Sequence, residues 1–311
     1  ITDIKWDGKV KQGGKGDFMD AEFMENLIFK AEALIEALPY MQLFSGKYFV
    51  VKYGGQAMVS DEMMATVVAD IVLLKHIGIK PVLVHGGGKE VNEMMRRLGK
   101  EPRFVGGLRV TDDETMEIVE MVLLGKVNRH IVALLNRCGA RAVGLSGGDA
   151  GLFQARVKPF SPGGSSGKDV DLGRVGEINW VDISLIETLS ENDYIPVVSS
   201  IGADSSWESL NINADHAAGE LAGALQAEKL IILTDVEGIY QRTEKGTRFI
   251  SAIKEKEIRT LIRDGQINGG MIPKVEACLR ALEQGVARTH IIDGRRKHAL
   301  ILEIFTDAGI G

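Results

Sequence analysis

Short runs of β-branched and aliphatic residues in this chain end, one after another, in glycines. Lys47 to Gly55 reads KYFVVKYGG and Pro81 to Gly88 reads PVLVHGGG, each followed by a stretch of helical period. Arg141–Ser146 meets Gly147-Gly148, Leu230–Thr234 leads to Gly238, and Thr289–Ile292 closes on Asp293-Gly294. A buried strand that breaks into a glycine turn and then a helix is a βα unit, and consecutive units demand a parallel sheet covered by helices. The glycines fall just past the C-terminal strand ends, where open parallel sheets bind ligands. In the first unit the strand carries Lys52 to the sheet rim, and the amides of Gly54 and Gly55 are unobstructed by side chains. A cation beside free amides suits a phosphate group.

The rest of the chain fills in around these units. From Asp20, a candidate N-cap, Phe23, Met24, Leu27, Ile28, Ala31, Leu34, Ile35 and Leu38 recur at helical spacing until Pro39, where the helix is expected to stop. This helix precedes the first strand, where no βα unit requires it; it packs on its own domain or docks on another subunit. Thr111-Asp112-Asp113-Glu114 reads as a capping box opening a helical region to Cys138, divided at Gly125. The Pro/Gly/Ser-rich segment from Lys158 to Gly176 reads as a surface hairpin or loop and is the first composition shift, hence a candidate lobe boundary. A loop then reaches Asn211-Ile212-Asn213-Ala214-Asp215, which puts Asp215 at the N-terminus of an Ala-rich helix. Gly269-Gly270-Met271-Ile272-Pro273-Lys274 opens another helix.

Composition narrows the function classes. With 311 residues, 45% hydrophobic and 26% charged, the chain can build one large α/β domain or two lobes, and it contains no apolar run of membrane-spanning length. A net charge of -6 with dispersed basic residues argues against a nucleic-acid surface. Cys138 and Cys278 form neither a CxxC nor a Cys/His cluster, so no disulfide framework or structural zinc is expected. Nor does a ligand-spaced carboxylate cluster mark a metal site. The first residues lack a signal-peptide core, and a cytoplasmic setting is expected.

The two common phosphate loops are missing. GGSSGK at Gly163 to Lys168 lacks the first P-loop glycine and is followed by Asp169, and the run from Gly86 to Val91 has no glycine at the sixth Rossmann position. Read singly, Lys52 is a snorkelling lysine or a phosphate ligand, and Asp215 is an N-terminal cap or a residue that orients lysines. Lys274 in a first helical turn opposes the helix dipole unless an anion lies between them. Arg109 on its glycine-flanked loop is a solvated side chain or a carboxylate clamp, and His85 reads as a structural histidine rather than a base.

Together KYGG, VHGGG, GLRVTDDE, LNINADHAA, LTDVEGIY and GGMIPKV resemble, in order from Lys47 to the C-terminus, the amino acid kinase family and within it the arginine-inhibited branch that phosphorylates N-acetyl-L-glutamate. The resemblance implies an open αβα sandwich with a mainly parallel sheet. It divides the chain into an arm at 1–19, an oligomerisation helix at 20–39, an acyl-amino-acid lobe at 40–200 and an ATP lobe at 201–311. It implies ATP, with Mg2+, as co-substrate and transfer to the γ-carboxylate, a step of arginine biosynthesis. By position, Lys52 and Lys274 match the lysines on the transferring phosphoryl group and Asp215 the aspartate that holds both. Gly87, Gly88, Arg109 and Asn211 match the N-acetylglutamate contacts. Gly54, Gly55, Asp235, Gly238, Tyr240, Gln266 and Asn268 fall where the family holds ATP. Tyr40, Lys229, His298, Glu303 and Gly309 match an allosteric L-arginine site, and the N-terminal helix matches one that interlaces dimers into a hexamer. A PII-type signalling protein is a further partner the branch admits. The loop Ser146-Gly147-Gly148-Asp149 departs from the family pattern, which more often has a lysine at Gly148. Alternatives are a carbamate, aspartate, glutamate or uridylate kinase, or a non-catalytic amino-acid sensor on the same fold.

Overall fold

The computed structural model describes residues 21–54, 61–159, 170–243, 246–306 and 309–311. The chain runs α1 (Ala21–Phe44), β1 (Tyr48–Tyr53), α2 (Asp61–His76), β2 (Lys80–His85), α3 (Gly88–Arg97), a small hairpin of β3 (Phe104–Val105) and β4 (Leu108–Arg109), then α4 (Asp113–Glu120). A π-helical stretch, Met121–Asn128, joins α4 to α5 (Arg129–Arg137), followed by β5 (Ala142–Ser146), β6 (Phe153–Val157), β7 (Val175–Val181), α6 (Ser184–Glu191), β8 (Ile195–Ser199), β9 (Ile201–Ala203) and β10 (Ser209–Ile212). The remainder comprises α7 (Ala214–Ala224), β11 (Lys229–Thr234), the hairpin β12 (Ile239–Thr243) and β13 (Gly246–Ile250), α8 (Glu255–Arg263), α9 (Ile272–Glu283), β14 (Arg288–Asp293) and α10 (Ala299–Ile304).

Six strands form one parallel sheet in the order β14-β11-β1-β2-β8-β5. Its central strands bury both faces, as their unbroken apolar runs require. On one face Phe49, Val51, Leu83 and Val197 pack with Val67 and Ile71 of α2, Ile131 and Leu135 of α5, and Leu300 of α10. On the other, Val50, Val82, Val84 and Val198 pack with Leu221 of α7, Val275 of α9 and Ile186 of α6. The result is the αβα sandwich expected from the glycine-ended strands. A separate barrel, β10-β7-β6-β9, adjoins the second face through Phe153, Leu210 and Ile212. The parallel sheet takes strands from both sides of the 200/201 division. Among the described residues no helix is long and apolar enough to cross a membrane.

Four local readings change. Pro39 lies inside α1 rather than ending it. Beyond it Tyr40 and Met41 pack on the core and Phe44 is buried, and aromatic and aliphatic burial at about 1.5–3 kcal/mol per fully buried side chain offsets the roughly 3 kcal/mol cost of an internal proline. The helix over 113–137 is capped by Asp112, whose side chain accepts from Thr115 N at 2.8 Å, and not by Thr111. Gly125 does not divide that helix; it sits within the π-helical stretch. The stretch read as a loop before Asn213 contains β10, which pairs with β7 and β9 and turns Leu210 and Ile212 inward. Four residues are too few for an alternation to be read from sequence. Asp20, Gly55 and the Gly163–Lys168 run lie outside the described residues.

Candidate active site

Lys52 sits next to last on β1, between Val84 of β2 and Ile232 of β11, with 7% of its surface exposed. Its ammonium group lies across the turn that follows. A β-carbon at Gly54 would stand 3.2 Å from Lys52 Nζ, so the glycine leaves room for the side chain to fold back over its own backbone. The same virtual carbon is 3.7 Å from Gly86 N, and one at Gly86 would be 3.3 Å from Ala214 Cβ. The first two glycine turns therefore converge with the N-terminus of α7, as expected of neighbouring strand ends.

Asn213 caps α7, its side chain accepting from the amides of Asp215 at 2.9 Å and His216 at 3.1 Å. This leaves Asp215 free of the capping role that its position allows, and its buried carboxylate points to the lysines. Lys52 Nζ is 2.9 Å from Asp215 Oδ1, and Lys274 Nζ, on the first turn of α9, donates to Oδ2 at 3.0 Å. Burial works to raise the Asp215 pKa, but the two ammonium groups outweigh it and hold the carboxyl below its ordinary range. One aspartate thus fixes two cations from opposite ends of the chain at the sheet edge.

Arg109, at the end of β4, is buried and yet touches no carboxylate among the described residues. Nη2 donates to Gly88 O at 3.1 Å, Nη1 points to Met95 Sδ at 3.2 Å, and the guanidinium lies 4.8 Å from the Phe104 ring centroid. Burial pulls its pKa down to about 10. A desolvated, forked cation without a countercharge is suited to an anionic ligand. Thr111 donates to Arg109 O at 2.9 Å and accepts from Asn211 Nδ2 at 3.1 Å. Gly88, Arg109 and Asn211 are therefore one connected group, with Thr111 a connector that the sequence reading assigned to capping instead.

The residues matched to ATP are placed less tightly. Asp235 follows β11 and accepts from Thr234 Oγ1 at 3.4 Å. Gly238 has φ +148 and packs so closely on Phe249 that a β-carbon would stand 2.8 Å from its ring. Tyr240 stacks edge-on against Phe249 and its hydroxyl bonds Glu237. Asn268 lies exposed at the start of the 3-10 turn Gly269–Met271 that leads to Lys274. Gln266 Oε1 is a buried acceptor with no donor among the described residues. Beyond these, the basic run Arg295-Arg296-Lys297 lies just past β14, with Arg295 on Asp293 at 2.8 Å and Arg296 on Glu237 at 3.3 Å. That run was visible in the sequence as three consecutive cations after the last strand. A cavity of ≈580 Å³ between the β12–β13 hairpin and α8 is lined by none of the matched residues.

Away from the sheet edge, four of the five residues matched to an arginine site share one neighbourhood. Lys229 lies 5.4 Å over the Phe44 ring and 3.3 Å from His290 Nε2, and His290 Nδ1 is 2.6 Å from Glu303 Oε1. Glu303 Oε2 accepts from the amides of Ile310 and Gly311, and Gly309, at φ +60, leaves it room. Tyr40 stacks on Phe44 and meets Phe305 edge-on. His298 instead pairs with the buried Asp70 of α2 at 2.6 Å.

Residues 47–293 match the amino acid kinase family. The acetylglutamate kinase of Pelotomaculum thermopropionicum is 55% identical over 285 residues, covering 91% of this chain and 96% of the relative. That of Methanocaldococcus jannaschii is 52% identical over 290 residues, covering 93% and 97%. Among solved structures, N-acetylglutamate synthase from Neisseria gonorrhoeae, complexed with coenzyme A and N-acetyl-glutamate, superposes with a TM-score of 0.77 at 26% identity over 90% of this chain and 62% of that one.

Proposed function

The chain belongs to the amino acid kinase family and is a kinase, and from that premise we propose that it transfers the γ-phosphoryl group of ATP to the γ-carboxylate of N-acetyl-L-glutamate. The observation that carries the reading is the Lys52–Asp215–Lys274 clamp together with a buried Arg109 that meets no carboxylate among the described residues. High identity to acetylglutamate kinases across nearly the whole chain supports the choice of acceptor.

The chemistry asks little covalent work of the protein. A carboxylate is already an anionic nucleophile at neutral pH, so no general base is needed, and the task is to hold two anions in line and neutralise charge on the phosphoryl oxygens. In this reading Lys52 and Lys274 serve those oxygens, and Asp215 keeps two like charges side by side before the ligands arrive. Arg109 takes the substrate's other carboxylate, with Asn211 and the amides of Gly87 and Gly88 around the acyl-amino group. Asp235, Gly238, Tyr240, Gln266, Asn268 and the Gly54–Gly55 turn serve ATP. The unpaired Gln266 Oε1 suits a donor such as an exocyclic amine.

Among the described residues no group of three His, Cys, Asp or Glu side chains is arranged to hold a metal. The Mg2+ that accompanies ATP is read as bound mainly by phosphate oxygens, which in kinases carry the ion together with one or two carboxylates.

Two finer assignments complete the proposal. L-arginine inhibits by binding near Lys229, Glu303 and Gly309, where a carboxylate can meet a guanidinium. The protein assembles as a hexamer through α1, whose Phe29, Leu34 and Ile35 are each two-thirds or more exposed.

Purified protein with MgATP and N-acetylglutamate should release ADP and form an acyl phosphate that hydroxylamine traps as a hydroxamate. Absence of both products would overturn the reading, and a panel of carbamate, aspartate, glutamate and UMP then identifies the acceptor.

A further inference from the structure

His85 ends β2 directly before the glycine turn, and its ring is fully buried. The proton positions around it follow from one group. The carbonyl of Val197 can only accept, so Asn128 turns its amide nitrogen to it at 2.8 Å. The second proton of that nitrogen lies toward His85 Nε2, 3.0 Å away. Nε2 must then be bare, the ring proton sits on Nδ1, and Nδ1 donates to Gly86 O at 2.8 Å. A charged ring would set an N–H against an NH2 group, and burial independently drives the His85 pKa down to about 4. On its other side the Asn128 amide lies against Gly144, where a β-carbon would stand 1.8 Å from Oδ1, so only glycine leaves room for it.

This relay determines how the glycine turn faces. In a trans peptide the carbonyl of one residue and the N–H of the next point in opposite directions. Holding Gly86 O against the ring therefore sends the Gly87 N–H away from His85, and no acceptor for it is found among the described residues. Gly87 is also pressed from behind, since a β-carbon there would be 2.6 Å from Leu123 Cδ2 and 3.1 Å from Val127 Cγ2. Leu123, Val127 and Asn128 all come from the π-helical stretch. In an α-helix residues five apart lie about 140° apart around the axis, which would turn Asn128 away from the face of Leu123. Closure from i to i+5 returns both to one face.

We propose that Asn128 and His85 are positioning residues of the acyl-amino-acid pocket: the π-helical stretch presents Asn128 to His85, fixes its Nδ1–H tautomer and so aims the Gly87 amide at the substrate. The proposal rests on the assignment of Gly87 and Gly88 to that substrate.

Nitrogen-15 NMR of histidine-labelled protein, with His85 identified by single substitutions of the other five histidines, reads the tautomer without any change at the site. A proton on Nδ1 is expected, and a proton on Nε2 overturns the relay. Kinetics then separate aim from fold. Asn128→Ala and His85→Leu should raise KM for N-acetylglutamate about tenfold, the scale of one misdirected hydrogen bond, and leave KM for ATP within about twofold. His85→Asn, whose amide nitrogen replaces Nδ1–H, should recover most of that loss. Equal changes in both KM values, or no recovery by His85→Asn, overturn the proposal. If the parent enzyme phosphorylates another acceptor of the panel, the same comparison is made with that acceptor, so the substrate assignment can fall while the tautomer still decides the relay.

Discussion

A β-carbon on Gly219 would stand 2.8 Å from the carbonyl oxygen of Ala277, so α7 and α9 touch backbone to backbone. Gly219 is one helical turn beyond Asp215, and Ala277 is three residues beyond Lys274. This backbone contact lies about one turn along from the carboxylate and ammonium the helices carry and is expected to set the 3.0 Å between them. Gly219→Val should wedge the helices apart. Overpacking at such a contact costs about 1–3 kcal/mol, so a lower urea midpoint is expected, together with a kcat loss larger than any change in either KM. An unchanged kcat in a folded variant would show that the spacing is set elsewhere.

The two lysines and their aspartate should differ in what their loss does. Lys52→Ala or Lys274→Ala removes one charge-stabilising group and should lower kcat by about 10²–10³, or roughly 2.7–4 kcal/mol of transition-state stabilisation. Asp215 keeps one cation in either variant, so folding suffers modestly. Asp215→Asn leaves two ammonium groups facing each other without a countercharge, and breaking a buried pair in this way costs about 3–5 kcal/mol. Steady-state kinetics and chemical denaturation of the three variants should therefore rank Asp215→Asn as the least stable, with Lys52→Ala and Lys274→Ala primarily catalytic.

The clamp was only partly legible from local chemistry. Lys52 ends a buried strand and Lys274 opposes a helix dipole, but Asp215 reads equally as a helix cap, and the three were joined only by the family resemblance. The sheet was legible because five strands repeat one pattern, and the repetition outweighs the ambiguity of each. What stayed hidden was set by tertiary contacts. Asn128 reads as an ordinary helical residue because only the π-helical turn brings it to His85, and Thr111 reads as a cap because its true partners lie at Arg109 and, 100 residues on, at Asn211. Pro39 reads as a stop because the packing of Tyr40 and Phe44 cannot be weighed from sequence.

Burial of His85 makes folding stability depend on pH in a definite direction. Its folded pKa, about 4, lies below the ordinary histidine value near 6.5. The unfolded chain therefore binds the proton more readily, and the contribution is fully present above pH 6.5 and lost as pH falls through 4. At 1.36 kcal/mol per unit this amounts to about 3 kcal/mol. Asp215 and Glu303, whose pKa values are lowered, act in the same direction but in the more acidic carboxylate range. Denaturation between pH 7 and 4 should show the parent losing stability faster than His85→Asn, and parallel curves would mean that the ring is not held neutral.

The last prediction concerns α1, whose two parts behave differently. Tyr40, Met41 and Phe44 pack into the core, whereas Phe23, Ile28, Phe29, Leu34, Ile35 and Leu38 are all at least 45% exposed along a single helix. An apolar surface of that extent on one element needs a cover. The proposed cover is the same helix of a neighbouring copy. Removing the residues before Pro39 should then dissociate hexamers while leaving the sheet, the clamp and basal kinase activity intact, because among the described residues of the removed segment only Ala37 packs on the core. Arginine inhibition should be lost with it, since the cut falls one residue before Tyr40 and releases the segment that holds that ring beside Phe44. Light scattering that still shows hexamers after the deletion, or arginine inhibition that persists in dissociated protein, would separate α1 from the role assigned to it.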